Sequence, residues 1–322
     1  MKVVVTGAAG FLGGRLARTL LDRGELDGRS VDELVLLDVV AASAGEGDPR
    51  VRTVVGDVAD PALLGETVDA RTGVVFHLAA VVSGQAEAEF DLGMRINLDG
   101  SRLLLDACRA AGSVPRVVFT SSVAVYGGDL PDVVTDATPL TPQTSYGTQK
   151  ACAELLLADH TRRGHVDGRV LRLPTVTVRP GKPNAAASGF ASGIVREPLA
   201  GVTTVVPVPP EVRMWVLSPR YAVESLVAGA ELAPGRLGGS RAINLPGVSV
   251  SVGEMAAALE RVAGPEVAAR VSWRRDPAVE AIAATWPGAW DTSRAEALGL
   301  RGDADFDAIV RAYMEDDLPH NL

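Results

Sequence analysis

Tyr146 and Lys150 lie four residues apart in the segment Tyr146-Gly147-Thr148-Gln149-Lys150. The segment opens a stretch with helical periodicity, and side chains four residues apart project from one face of a helix. A lysine ammonium beside a phenol favours the phenolate, so it lowers the tyrosine pKa from its ordinary value of about 10. The spacing therefore makes Tyr146 a candidate general base, and Lys150 can also bond the hydroxyls of a cofactor ribose.

Ser122 is the third candidate for the same chemistry. It follows a predicted strand at Arg116–Ser121, and ligands bind at the carboxyl ends of the strands in open α/β sheets. From there its hydroxyl can bond the substrate oxygen that gains or loses a proton. A tyrosine and a lysine at this spacing are commonly only a surface pair, so the interpretation depends on the further motifs that precede them.

A glycine-rich loop, Thr6-Gly7-Ala8-Ala9-Gly10-Phe11-Leu12-Gly13, joins the first predicted strand to the first predicted helix. Glycines there permit a tight turn, close approach of the backbone to a pyrophosphate and close packing of helix on strand. The helix N-terminus adds free N–H groups and a positive dipole. The predicted dinucleotide contacts of this loop are Gly7, Gly10, Phe11, Leu12 and Gly13.

Two aspartates end the next predicted strands. A carboxylate at Asp38 can accept hydrogen bonds from both hydroxyls of an adenosine ribose and would repel a 2′-phosphate, which favours NAD over NADP. Asp57 can accept from the adenine amino group, with Val58 packing on the ring. Taken alone, Asp57 is equally typical of an N-cap for the helix that begins near Pro61.

Short β-branched runs alternate with helical periodicity through the first half of the chain, which is the pattern of βαβ units on a parallel sheet. The predicted strands are Lys2–Thr6, Glu33–Asp38, Val51–Gly56, Val74–Leu78, Arg116–Ser121 and Arg169–Leu173. The predicted helices are Leu12–Arg23, Pro61–Val68, Asn97–Ala111 and Tyr146–Arg163. Nearly continuous apolar strands suit a sheet covered on both faces, so we expect an α/β fold with a Rossmann-type, doubly wound parallel sheet.

The regular alternation ends after about Val178, at a loop punctuated by proline and glycine. We expect residues 1–178 to form an NAD-binding domain that also carries the catalytic residues. Residues 179–322 are expected to form mostly a smaller, C-terminal substrate-binding lobe, although the chain can cross back between the two. The helices predicted there lie at about Pro219–Glu231, Val252–Val262 and Phe306–Met314.

The charge balance excludes some partners. The 322 residues include 31 Lys+Arg and 40 Asp+Glu, a formal net charge of −9 at pH 7, so neither nucleic acid nor a membrane surface is an expected partner.

The N-terminus reaches a glycine too early for a signal peptide, which indicates a soluble, cytoplasmic protein. Cys108 and Cys152 lack metal-type spacing and read as reduced apolar residues, and no metal site is predicted. His77 is expected to pack beside the fourth strand rather than to act in catalysis.

Together, these motifs resemble the extended short-chain dehydrogenase/reductase family, which includes the NAD-dependent epimerases and dehydratases. The matching positions are Gly7, Gly10, Gly13, Asp38, Asp57-Val58, Leu78-Ala79-Ala80, Ser122, Val125-Tyr126-Gly127, Tyr146 and Lys150. The resemblance is strong over about residues 1–178 and looser beyond them. It implies NAD as cofactor, an enzyme that transfers hydride, and a catalytic set of Ser122, Tyr146 and Lys150.

The resemblance also extends to further positions. It implies that Leu78, Ala79, Ala80 and Pro174 contact the cofactor. Asn97 either caps its predicted helix or organises a water near Lys150. In the family, the helices that correspond to Asn97–Ala111 and Tyr146–Arg163 form a four-helix interface, so a homodimer is expected.

Two departures from common family patterns bear on the substrate. Dehydratases of the family usually carry Asp-Glu where this chain has Ser122-Val123, which argues against dehydration. The segment Leu173–Gly181 lacks the asparagine that commonly contacts a sugar nucleotide, which implies a smaller substrate. Several segments resemble family members that oxidise the 2-hydroxyl of a four-carbon sugar acid. The alternatives are a nucleotide-sugar 4-epimerase that holds NAD tightly and, less favoured, a non-catalytic dinucleotide sensor.

A sugar acid needs a cation for its carboxylate, and a bidentate guanidinium suits that geometry. Arg213 aligns with the arginine that related epimerases use for substrate phosphate, so it is preferred over Arg179 and Lys182; a solvated loop residue is the alternative reading. Ser83 and Asn184 are further candidates for substrate contact, with ordinary loop capping as their alternative.

Overall fold

The computed structural model describes residues 1–181 and 188–318. Over those residues the strands are β1 (Lys2–Thr6), β2 (Glu25–Leu26), β3 (Arg29–Ser30), β4 (Glu33–Asp38), β5 (Val51–Val55), β6 (Thr72–His77), β7 (Arg116–Ser122), β8 (Asp167–Leu173), β9 (Thr175–Val176), β10 (Thr204–Val206), β11 (Arg213–Leu217), β12 (Ala242–Asn244), β13 (Val248–Ser251) and β14 (Val271–Trp273).

The α-helices are α1 (Phe11–Arg23), α2 (Pro61–Thr67), α3 (Ser83–Ala88), α4 (Phe90–Gly93), α5 (Gly100–Ala111), α6 (Ser145–Arg162), α7 (Gly189–Leu199), α8 (Pro219–Glu231), α9 (Val252–Ala263), α10 (Pro265–Ala268), α11 (Pro277–Ala283), α12 (Ser293–Ala297) and α13 (Phe306–Asp316). A π-helix at Met94–Asp99 joins α4 to α5, and 3₁₀ turns lie at Val123–Val125 and Pro234–Arg236. Among the described residues, none of these helices is long and apolar enough to cross a bilayer.

The chain divides into two compact units. The first unit consists of Met1–Ser122, Thr144–Arg172 and Val223–Ile243, and the second of Val123–Gln143, Leu173–Ala222 and Asn244–Leu322. The chain therefore passes from one unit to the other several times along its length. The assignment of NAD binding to residues 1–178 and of substrate binding mostly to residues 179–322 stays a prediction.

One sheet organises the first unit. Within the described chain its seven strands follow the order β12-β8-β7-β6-β1-β4-β5, and β1 pairs in parallel with both β4 and β6. The connections run outward in opposite directions from β1, so the strand order reverses there. Open α/β sheets bind ligands at such a switch point, beyond the carboxyl ends of the strands. The predicted Rossmann-type parallel sheet is confirmed, and β12 is a seventh strand that the sequence pattern did not predict.

Burial explains why the sequences of the central strands are continuous runs of apolar residues. Val4, Val35 and Val75 lie at the centre of neighbouring strands and share one core with Leu104 of α5 and Leu157 of α6. Because helices cover the sheet, alternation of polar and apolar residues is not required there. Full burial of one such aliphatic side chain stabilises the fold by about 1.5–3 kcal/mol, so this core fixes where the strand ends lie.

The second unit has its own core around a three-stranded sheet of order β13-β11-β9. Val216 of β11 packs there with Met255 and Leu259 of α9 and with Ile309 of α13. The predicted helices at about Pro219–Glu231, Val252–Val262 and Phe306–Met314 are present as α8, α9 and α13. This unit places Arg213 at the first residue of β11.

The predicted helix start at Asn97 is wrong. The helical path begins at Phe90, continues through the π-helix and ends at Ala111. The prediction failed because asparagine favours N-caps on average, whereas Asn97 lies within the helical path and its side chain bonds Val81 and Gln149.

Candidate active site

The loop after β1 has room for glycine alone at two positions. Gly7 has a φ of 73°, and a Cβ there would lie 2.6 Å from the backbone N of Ala79. A Cβ on Gly13 would lie 2.2 Å from the carbonyl oxygen of Gly7. At Gly10, by contrast, a Cβ would meet only that same oxygen within 4 Å, at 3.1 Å. Gly7 and Gly13 therefore close the loop, while Gly10 leaves one side of it open for a ligand.

The same loop presents a helix N-terminus suited to an anion. Gly10 is the N-cap of α1, and within the described chain no side chain caps it and no acidic residue lies in the first turn. The N–H groups of the first turn and the helix dipole therefore favour negative charge at this point. A dinucleotide pyrophosphate has the charge and the oxygen acceptors to match them.

Asp38 stands at the carboxyl end of β4, beside this loop. Its Oδ2 accepts a hydrogen bond of 3.0 Å from the backbone N–H of Ala9, and the side chain keeps partial solvent contact. A carboxylate anchored next to a pyrophosphate cradle is suited to bond ribose hydroxyls. The glycines, the helix end and Asp38 together fit NAD.

Asp57 is not the N-cap of the next helix, so that alternative reading is wrong. Asp60 caps α2 by accepting from the N–H groups of Ala62 and Leu63. Asp57 instead forms an ion pair with Arg95 and accepts a bond of 2.8 Å from the N–H of Ala59. Burial raises the pKa of Asp57, but these two partners more than offset it, so the pKa lies below its ordinary value.

The segment after β6 borders the glycine loop. The N–H of Leu78 donates to the Thr6 carbonyl at 3.1 Å, and that of Ala79 donates to the Thr6 hydroxyl at 3.3 Å. Ala80 continues this segment. Val58 is buried and packs against α5, where a Cβ on Gly100 would lie 2.9 Å from it. The predicted cofactor contacts thus fall at the carboxyl ends of β1, β4, β5 and β6.

Lys150 is the buried charge at the centre of the site. It lies on α6 with 2% of its surface exposed, and its Nζ donates to the backbone carbonyl of Thr120 at 2.9 Å. The same Nζ is 4.7 Å from the centre of the Phe119 ring and 5.7 Å from that of the Tyr146 ring. Cations within about 6 Å of an aromatic ring are attracted to its face. The structure therefore brings Tyr146 and Lys150 together as the sequence predicts.

The charge of Lys150 depends on pH. Burial lowers the pKa of Lys150 to about 8, and Glu154, one turn further along α6, raises it in part. At neutral pH the side chain remains mainly an ammonium, and it loses that charge a little above neutrality. Stabilisation of a Tyr146 phenolate by Lys150 is therefore sensitive to the charges around this lysine.

Ser122 is the last residue of β7, two residues beyond the carbonyl that holds Lys150. Its neighbour Ser121 donates through Oγ to Glu154 at 2.5 Å. Arg172 in turn forms a buried ion pair with Glu154, with Nη2 and Oε2 2.6 Å apart. The sequence motifs predict Ser122 but not this supporting network, because Glu154 and Arg172 lie in separate elements and no local motif links them.

Asn97 fastens the segment after β6 to α6. Its amide nitrogen donates to Gln149 Oε1 at 2.7 Å and to the Val81 carbonyl at 3.1 Å, while its Oδ1 accepts from the Val81 N–H at 2.8 Å. Gln149, which precedes Lys150, is a functional neighbour that sequence analysis missed. Burial is not visible in the sequence, and no local motif links Gln149 to Asn97.

His77 has a structural role, as predicted. Its Nδ1 is 2.7 Å from Thr6 Oγ1 and its Nε2 is 3.0 Å from Ser101 Oγ. Burial and the nearby Lys150 ammonium lower the pKa of His77 to about 3. The imidazole is therefore neutral at physiological pH and bridges β1 to α5.

Arg213, the preferred carboxylate-binding candidate, is half exposed and already has partners. Its Nη2 donates to the Ser249 carbonyl at 3.1 Å, and its Nη1 lies 3.6 Å from Glu254 Oε2. The contact with Glu254 is long and exposed, so it is weak. An anionic ligand can therefore compete for this guanidinium.

The remaining candidates are Ser83, Asn184 and Lys182 for substrate contact and Pro174 for cofactor contact. Ser83 is the first residue of α3, one position past its N-cap Val82. Pro174 is buried between β8 and β9. Asn184 and Lys182 lie outside the described residues.

The cysteines and metal-type ligands show no shared site. Cys108 and Cys152 are free thiols, and burial raises the pKa of Cys108 to about 12. Over residues 1–181 and 188–318, no group of three or more His, Cys, Asp or Glu side chains is arranged to hold a metal.

A Rossmann sheet with an NAD-type cradle beside a tyrosine–lysine pair defines a dinucleotide-dependent oxidoreductase. The model of the NAD dependent epimerase/dehydratase family matches residues 3–215, and the chain belongs to this family. It is an NAD-dependent dehydrogenase, which confirms the resemblance found in the sequence.

Two relatives and one solved structure are similar to this chain over nearly its full length. The chain is 63% identical over 320 residues to D-erythronate dehydrogenase of Cupriavidus necator, covering 98% of each chain. It is 43% identical over 318 residues to D-erythronate dehydrogenase of Haemophilus influenzae, covering 99% of this chain and 100% of the relative. The crystal structure of a nucleoside-diphosphate-sugar epimerase from Agrobacterium tumefaciens superposes with a TM-score of 0.95 at 45% identity, covering 99% of this chain and 95% of that one.

Proposed function

We propose that this protein oxidises the 2-hydroxyl of D-erythronate to give 2-keto-D-erythronate, with NAD as hydride acceptor. The observation that carries the proposal is the buried Lys150 ammonium 5.7 Å from the Tyr146 ring, in a chain similar over nearly its full length to D-erythronate dehydrogenases. A positioned base and an NAD cradle supply the two parts that oxidation of an alcohol requires.

Proton removal is the task of Tyr146 in this proposal. Its phenolate takes the proton from the substrate's 2-hydroxyl, and the Lys150 ammonium stabilises the phenolate beforehand. Ser122, at the end of β7, bonds the same substrate oxygen and orients it. NAD, when bound, accepts the hydride that leaves C2. The products are the 2-keto acid, NADH and a proton held on Tyr146.

Substrate binding has two further parts. Arg213 is the proposed partner of the substrate carboxylate, since its present contact with Glu254 spans 3.6 Å and is exposed. Ser83 and Asn184 are proposed to contact the sugar hydroxyls.

Nucleotide-sugar 4-epimerisation is the alternative, because one similar solved structure is that of a nucleoside-diphosphate-sugar epimerase. The two functions differ in their net redox change. An epimerase returns the hydride to its substrate, so NADH does not accumulate, whereas a dehydrogenase releases it.

The deciding experiment follows absorbance of NADH with the purified protein. D-Erythronate plus NAD should give steady NADH formation, and the same acid with NADP should react more slowly because Asp38 repels a 2′-phosphate. UDP-glucose and UDP-galactose are the matched second arm, analysed for interconversion. Epimer formation without activity on D-erythronate would reject the proposal in favour of the alternative.

We also propose that the protein acts as a cytoplasmic homodimer. Leu155 lies on α6, one of the helices that the family resemblance implies for a four-helix interface, and 68% of its surface is exposed. Light scattering of the eluted protein should give twice the chain mass. Leu155→Lys should reduce that mass, and a wild-type monomer would contradict the proposal.

A further inference from the structure

Glu154 is a buried carboxylate that the proposed mechanism does not use. Its side chain is 4% exposed and that of Arg172, its ion-pair partner, is 7% exposed. Arg172 Nε also lies 3.0 Å from Glu154 Oε1. Buried ion pairs are often no more stabilising than apolar residues of the same volume, because both charges lose their hydration. Stability alone is therefore a weak reason to hold a carboxylate here.

Glu154 occupies a fixed place relative to Lys150. The two side chains lie one turn apart on α6 and bind successive residues of β7: Lys150 binds the Thr120 carbonyl, and Glu154 accepts from the Ser121 hydroxyl. Ser122 comes next on the same strand. The helix therefore holds both charged groups against the end of β7 that carries the third catalytic candidate.

In the part of the chain that the structure describes, Glu154 is the negative charge that acts on Lys150. Phe119 contributes an aromatic ring, and His77 is neutral at physiological pH. Arg172 is engaged with Glu154. The carboxylate raises the pKa of Lys150 against the effect of burial.

Loss of one proton from the Tyr146–Lys150 pair can give two forms. Either the phenol loses its proton and the ammonium remains, or the ammonium loses its proton and the phenol remains. Both forms carry the same number of protons. A titration therefore reports the loss of this proton from the pair as one macroscopic step and does not assign it to either residue. Only the phenolate–ammonium form can remove a proton from the substrate.

We propose that Glu154 is a positioning residue whose carboxylate keeps the remaining proton on Lys150, so that the phenolate–ammonium form predominates. This inference rests on the proposed role of Tyr146 as the base. The carboxylate acts through the lysine and does not touch the substrate, and its contact with Ser121 holds it in place.

The decisive measurement is tyrosinate absorbance near 295 nm in protein without NAD. The signal of Tyr146 is obtained as the difference between the wild type and Tyr146→Phe, since the chain has four tyrosines. In Glu154→Gln the ratio of the phenolate–ammonium form to the phenol–amine form should fall about tenfold, the change expected from about one pKa unit of lost interaction. The tyrosinate signal of the singly deprotonated pair and the plateau of kcat should fall together. Removal of an anion also favours deprotonation of the pair, so the rising limb of the pH–rate profile should move to lower pH.

Two controls separate this role from a structural one. Glu154→Gln/Arg172→Met removes both charges and so leaves no unpaired buried arginine; it should retain the low tyrosinate signal and the low plateau. Asp69→Asn removes the charge of another carboxylate, which accepts a 3.0 Å bond from the buried Lys2, at the amino end of β1 and far from the strand ends of the site. It should change neither readout.

The outcomes distinguish the two proposals. Wild-type tyrosinate signal in Glu154→Gln, or full recovery in the double variant, would overturn the role of Glu154 even where Tyr146→Phe is inactive. An active Tyr146→Phe would overturn the proposed base itself. Failure of Glu154→Gln to fold leaves the double variant to decide.

Discussion

The Lys150 ammonium donates a 2.9 Å hydrogen bond to the backbone carbonyl of Thr120, which ties the catalytic helix to the strand that ends in Ser122. Rotation of the lysine away from the Tyr146 ring would break this bond in a buried site, where an unpaired carbonyl costs about 1–3 kcal/mol. The strand therefore orients the lysine beside the Tyr146 ring.

Replacement of Tyr146 by phenylalanine should remove the base and leave the cradle intact. General-base catalysis contributes about 10²- to 10⁴-fold, so kcat of Tyr146→Phe should fall within that range. NAD should still bind, as measured by calorimetry or fluorescence quenching. Tyr221→Phe, a change to a tyrosine outside the site, is the control. Near-normal turnover in Tyr146→Phe would contradict the assignment.

The pKa of Lys150 predicts a pH dependence of stability. Burial lowers this pKa from 10.5 to about 8, so between those values the unfolded chain binds more protons than the folded chain. The free energy of unfolding gained from this group therefore rises with pH across the window from about 8 to 10.5. Below pH 8 the buried ammonium carries its full desolvation cost.

Lys150→Met removes this dependence. Chemical unfolding at several pH values should show wild-type stability rising relative to the variant from pH 8 to 10.5. The variant also lacks the bond to Thr120, which shifts its curve by an amount independent of pH. Parallel stability curves for the two proteins would show that the lysine is not destabilised by burial.

The glycine loop offers a matched pair of adjacent substitutions. A Cβ at Gly13 would lie 2.2 Å from the Gly7 carbonyl, whereas at Gly14 the nearest atoms are 3.8 Å away. Gly13→Ala should therefore distort the loop and weaken NAD binding at least tenfold, about 1.4 kcal/mol. Gly14→Ala should bind NAD normally and be more stable by about 0.5–1 kcal/mol, as for other helical glycines. Calorimetry with NAD and thermal unfolding measure both effects, and equal NAD affinity in the two variants would refute the argument.

The residues that sequence analysis identified share one property: they belong to local motifs. Gly7, Gly13 and Asp38 follow a strand–loop–helix pattern, and Tyr146 with Lys150 follows a helical spacing, so each is visible within a few positions. Asp57 was assigned correctly to a strand end, but its partner Arg95 was not foreseen.

The missed residues depend on contacts between distant segments. Glu154 meets Ser121 and Arg172, and Gln149 meets Asn97, across intervals that no periodic pattern spans. The helix start at Asn97 failed for the same reason, because its amide bonds a loop and a helix far away in sequence. Strand β12 is three residues long, too short to show a strand period.

Arg213 carries the last prediction, which concerns the substrate carboxylate. A charge-assisted contact of a guanidinium contributes about 1.5–3 kcal/mol, so Arg213→Ala should raise KM for D-erythronate at least tenfold while KM for NAD changes little. Arg311→Ala is the matched control, because that side chain is similarly exposed at 57% and likewise faces a carboxylate, that of Asp307, at 3.8 Å. Glu254 is 58% exposed, so loss of Arg213 leaves no unpaired buried charge and the variant should keep wild-type stability. An unchanged KM for D-erythronate in Arg213→Ala would remove this residue from the site and leave Arg179 or Lys182 as the cation to test.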